Sequence, residues 1–95
     1  MVKKEIFEWI INKQKNIELR KGKGKKGDVA VFQCGRNIVR GRIIRREEGV
    51  LKDVLSEDNY EAIISSAKNL EDAIAYLKRL YSSVEGVFTA YYFEL

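Results

Sequence analysis

The chain has no histidine, no proline and one cysteine in 95 residues, and each absence removes a class of chemistry. Without His there is no Ser-His-Asp triad, no Cys-His dyad and no imidazole ligand, and Cys34 alone cannot build a thiolate zinc site. No metal site and no cofactor are expected, and any catalysis falls to Lys, Glu, Asp, Ser, Tyr or Arg. Cys34 has no second thiol for an intrachain disulfide, so the core must hold the fold unaided, as suits a reducing cytoplasm. No adjacent His or basic helix end activates it, which makes it packing filler. No apolar run approaches the ~20 residues of a membrane span, and the opening residues do not read as a signal peptide. A cytoplasmic protein without a membrane partner is the expectation.

What is present fits one small domain spanning residues 1–95. Hydrophobic residues make up 45% and charged ones 34%, the balance of a globular fold and not of a disordered chain. The net charge of +4 conceals a strong asymmetry. Residues 1–46 hold fourteen bases against four acids, and residues 47–95 hold four bases against ten acids. A basic first half points to a polyanion as partner; the alternative is two solvated surfaces that neutralise each other in the fold.

Ile6, Phe7, Ile10 and Ile11 recur at helical spacing and predict a helix over about residues 3–14, with Trp9 as a packing residue at its edge. Residues 16–20 alternate, which turns Ile17 and Leu19 to one face of a short strand and Glu18 and Arg20 to the other. A Lys/Gly loop follows over 21–27, then a β-favouring run over 29–34, a Gly35-Arg36-Asn37 turn and a return strand over 38–46. Parity along that strand places Arg40, Arg42 and Arg46 on one side. In the second half Val50, Leu51 and Leu55 suggest a helical turn, and Ser56 is a candidate N-cap for a turn holding Tyr60, Ile63 and Ile64. Asn69 caps a longer helix with Asp72 in the capping-box position, and Leu70, Ala73, Ile74, Leu77, Leu80 and Tyr81 form its apolar stripe. Residues 87–95 are apolar on both parities, as in a central strand covered on both faces. The whole is an α+β fold in which a small curved sheet or a partly closed barrel would protect the strand edges.

Several of these segments together resemble an ASCH domain, a member of the PUA-like superfamily. They are the Glu5–Ile11 helix, Lys13-Gln-Lys-Asn-Ile-Glu-Leu-Arg20, Lys26-Gly-Asp28, the helix ending Leu80-Tyr-Ser82, and Gly86-Val-Phe-Thr-Ala90. The family pattern G-x-K-x-x-E-x-R is met by Lys15, Glu18 and Arg20, with Lys13 standing where the pattern has Gly. The resemblance implies a small β-barrel with an N-terminal helix and two to three packed helices, a cleft that receives the Lys, Glu and Arg of the motif, and RNA or a nucleotide as ligand. Some family members are hydrolases, including a branch that deacylates a modified cytidine with a Lys, a Thr and a Glu, and another reported to cut RNA. Lys15 matches that branch's Lys, but Glu18 stands in place of its Thr, and a carboxylate is no substitute for a hydroxyl nucleophile. Cytidine deacylation is therefore not expected here.

The residue chemistry assigns the same positions independently. Arg20 suits a bidentate phosphate clamp, Lys15 a phosphate contact or base, and Glu18 a base or an acceptor for a ribose hydroxyl or base amine. Alternatively Glu18 and Arg20 are a structural ion pair. Lys21, Lys23, Lys25 and Lys26 are spaced to follow a phosphodiester backbone, with Arg40, Arg42 and Arg46 extending the surface and Tyr91 as a candidate stacking platform. The leading expectation is a nucleic-acid-binding domain. Its competitors are a metal-independent ribonuclease or nucleoside hydrolase using Lys15 and Glu18, and a protein-interaction module whose acidic half docks a basic partner.

Overall fold

The computed structural model describes residues 2–95. Helix α1 (Lys4–Ile11) leads to strands β1 (Ile17–Lys21), β2 (Val29–Cys34) and β3 (Asn37–Val50), then to α2 (Leu51–Val54), α3 (Tyr60–Ile63), α4 (Leu70–Tyr81) and β4 (Val87–Glu94). All strand pairs are antiparallel, in the order β1-β4-β3-β2. The sheet curls into a half-barrel, so the α+β class is as expected.

The last strand explains the packing. One face of β4 carries Phe88 and Ala90, which join Ile17 and Leu19 of β1 against Val54, Leu55, Ile63, Ala73 and Leu77 of α2, α3 and α4. The other face carries Phe93, which meets Phe32 of β2 and Ile6, Phe7 and Ile10 of α1. Apolar residues on both parities are thus the mark of a strand that serves two cores, and β4 sits between β1 and β3 as anticipated.

Four local expectations need correction. Helix α1 stops at Ile11, and the chain turns through Lys13 at φ 63, in the left-handed region. There the N–H groups of Gln14 and Lys15 both donate to the Trp9 carbonyl, at 2.9 and 3.0 Å, and this satisfies the helix end. Ser56 does not cap α3 directly. Its N–H donates to Asn59 Oδ1 and its hydroxyl accepts from Asp58, in a turn that precedes the helix. Leu80, placed in the α4 stripe, is exposed. Strand β3 continues to Val50, and Ile44 interrupts its register as a bulge: Ile43 faces Phe93 while Arg45 faces Tyr92. One extra residue exchanges the faces of everything after it. Arg46 therefore points away from the side shared by Arg40 and Arg42, and Arg45 takes that side in its place. Asn69 behaves as expected, its side chain accepting from Asp72 N–H at 2.8 Å.

Candidate functional site

Strands β1 and β2 stand at opposite edges of the sheet, so the segment joining them must cross it. Residues 22–28 make that crossing over the face that bears Glu18, Thr89, Tyr91, Arg46 and Glu48, tied down at each strand. Thr89 Oγ1, wholly buried, donates to Gly22 O at 2.7 Å; Gly24 N–H donates to Glu48 Oε1 at 2.7 Å; Lys25 N–H donates to the Tyr91 hydroxyl at 2.9 Å; and Arg46 Nε donates to Lys25 O at 3.2 Å. Gly24 lets the loop approach closely, because a Cβ there would lie 2.8 Å from Glu48 Oε1 and 3.2 Å from Thr89 Cγ2 and would displace the Glu48 carboxylate that its N–H holds. The backbone of the Lys/Gly loop is thus fastened, while Lys23, Lys25 and Lys26 remain exposed.

Beneath the loop, the motif residues form a chain of charge. Glu18 is largely buried and holds Lys15 Nζ 3.4 Å from Oε1, while Arg20 Nε and Nη2 donate to Oε2 at 3.2 and 3.1 Å. Lys15 is only 3% exposed. Its ammonium also donates to the carbonyls of Ile17 and Ile63, at 2.6 Å each, and so ties β1 to the end of α3. Burial pushes its pKa below the ordinary value of 10.5; Glu18 opposes that shift and Arg20 adds to it. Arg20 is more than half exposed, and among the described residues its Nη1 has no hydrogen-bond partner.

Glu18, Arg20 and Lys21 divide two cavities. One, of about 360 Å³, lies under the lysine loop and between the two sheet edges; Lys23, Lys25, Lys26 and Tyr91 join the polar side, and Val29–Phe32 and Ile43 line the side of β2 and β3. The other, of about 410 Å³, opens on the far side of β1 against Lys3, Ile63, Leu77 and Tyr81, whose hydroxyl donates to Leu19 O at 2.9 Å. Burial raises the Tyr81 pKa, Glu18 raises it further and Arg20 opposes. The first volume falls in the range of small-ligand pockets, with one charged wall and one wall formed by β2 and Ile43.

The structure thus brings Glu18, Arg20, Lys21, Lys23, Lys25, Lys26 and Tyr91 to one cavity, with Lys15 buried behind Glu18. It leaves Arg40 and Arg42 outside this group. Arg42 pairs with Glu94 on the opposite face, and Arg40 is exposed beside it. Arg46 reaches the site by the bulge, stacking over the Tyr91 ring at 5.8 Å and bonding the loop. With a guanidinium over its ring and its hydroxyl taken by Lys25, Tyr91 acts chiefly as a post for the loop. Thr89, Glu48 and Gly24 were not singled out as site residues from the sequence, in which the loop glycines mark only a break in regular structure; of the three glycines, Gly24 alone makes a close approach. Cys34 is half-buried against the α1 core, as a filler should be. Among the described residues no cluster of His, Cys, Asp and Glu suited to a metal ion is found, and no helix is long and apolar enough to cross a membrane. Comparison with protein-family models, with curated proteins and with solved structures returns no match.

Proposed function

We propose that the chain is a nucleic-acid-binding domain of the ASCH, PUA-like kind that takes single-stranded RNA along the lysine loop and into the cavity beneath it. The observation that carries this is that Arg20, Lys21, Lys23, Lys25 and Lys26 line one cavity whose single carboxylate is Glu18 and whose other wall is β2. A phosphodiester backbone finds the exposed ammonium groups and the free side of Arg20, and an unpaired nucleotide finds room below. Glu18 accepts from a ribose hydroxyl or base amine. Lys15, whose donors serve two carbonyls and Glu18, is a positioning residue that fixes this carboxylate. The hydrolase alternative needs Lys15 or Glu18 to exchange a proton with substrate, which the prior engagement of both side chains does not favour.

The test is fluorescence anisotropy with a short single-stranded RNA at low salt, comparing wild type with Arg20→Ala. Binding that weakens at least several-fold in the variant is expected, because a charged clamp at the mouth is lost while Lys15 still pairs with Glu18. Absence of binding at low salt, or equal affinity in the two proteins, would overturn the proposal.

A further inference from the structure

The open edge of β2 forms part of the wall of the loop-covered cavity, and its hydrogen-bonding groups can be assigned. Ile43 N–H donates to Asp28 O at 2.7 Å, in the same register that pairs Val29 with Arg42 and Val31 with Arg40. Antiparallel pairs alternate between bonded and non-bonded, so Ala30, Phe32 and Cys34 exchange bonds with β3, whereas Val29, Val31 and Gln33 turn their N–H and C=O groups outward. Gln33 bears this out, since its carbonyl accepts from Val2 N–H at 2.9 Å. No group among the described residues bonds to the outward groups of Val29 and Val31. Their side chains share the sheet face of Arg40 and Arg42 and are 56% and 54% exposed, so what these two residues offer the cavity is backbone.

Resting on the reading above, we infer that this edge reads a nucleobase: Val29 C=O accepts from, and Val31 N–H donates to, the neighbouring donor and acceptor of one unpaired base. The two groups flank a single residue and face the same way, as they would toward a partner strand. Each of the four bases presents an adjacent donor and acceptor on its pairing edge, and Glu18 and Arg20 stand across the cavity from the β2 edge. A strand from a second copy is disfavoured on the same edge, because Lys25 and Lys26 lie two to three positions before Asp28 and the exposed Arg40 lies beside the edge, which would bring like charges together.

The test uses the full chain with two probes, a short mixed-sequence single-stranded RNA and a phosphodiester oligomer of equal length that is abasic throughout. Anisotropy is expected to show the RNA binding about tenfold more tightly, and ¹H–¹⁵N spectra to show the Val31 amide proton moving downfield with RNA and not with the abasic chain. Val31→Pro removes the donor at a position whose N–H makes no ladder bond, so it is expected to reduce RNA affinity to that of the abasic chain. If the variant does not fold, the wild-type spectra decide. Equal affinity for the two oligomers, or a stationary Val31 amide in RNA-saturated protein, overturns base reading and leaves backbone binding intact. Failure of both oligomers to bind at low salt overturns the function proposed above as well.

Discussion

Lys15 shows how a single side chain changes meaning once its surroundings are known. In sequence it is one cation among fourteen in a basic half; in the fold its ammonium is buried and bonded to Ile17 O and Ile63 O, 48 positions apart in the chain from the latter. Replacing it with Met would fill the space but orphan both carbonyls and leave Glu18 with Arg20 alone. The Lys15→Met protein should lose about 2–4 kcal/mol of stability, measurable by urea unfolding. The pH dependence has a definite sign. Because the folded-state pKa lies below the unfolded 10.5, the unfolded chain holds more protons in the window between them, and wild-type stability gains from this group as pH rises toward 10.5. The stability gap between wild type and Lys15→Met should therefore widen with pH across that alkaline window. A gap that narrows there would contradict the assignment of burial as the dominant influence on Lys15.

Among the elements, local pattern was legible wherever the chain's own periodicity decides the outcome. The alternation of Ile17-Glu18-Leu19-Arg20 sets the two faces of β1, Asn69 and Asp72 mark the start of α4, and two apolar parities mark β4 as central. The bulge at Ile44 was not legible, because nothing in Gly41-Arg42-Ile43-Ile44-Arg45-Arg46 says which residue is left unpaired; that is settled by the match of β3 to β4. The motif trio was legible as a cluster, yet the burial of Lys15 and the anchoring of residues 22–28 depend on partners far away in sequence, among them Ile63, Thr89 and Glu48. Lys13 offers an element-scale test. It occupies the left-handed turn after α1, where a non-glycine residue costs about 1–2 kcal/mol and a glycine in turn costs unfolded-state entropy. Lys13→Gly should raise stability by up to about 1 kcal/mol without altering RNA binding, as read by urea unfolding and anisotropy together. A loss of stability would mean that the Lys13 side chain compensates its own strain.

For the whole molecule, part of the charge division along the sequence is kept in space. Helices α2, α3 and α4 carry Asp53, Glu61, Glu71 and Asp72 against one face of β1 and β4, while the lysine loop crosses the other. Curling of the sheet brings the β1 and β2 edges to a common cavity beneath that loop, so the five cations of residues 20–26 face the residues of β2 across one opening. The most direct measurement is the affinity for a short single-stranded RNA over a range of salt concentrations, for wild type and for a protein with Lys23, Lys25 and Lys26 all changed to Ala. Each phosphate contact contributes about −0.7 to the slope of log affinity against log salt for a single strand, so the wild-type slope should be steep, and removing three cations should flatten it by about 2. A wild-type affinity indifferent to salt, or a slope unchanged by the triple substitution, would contradict binding through the lysine loop.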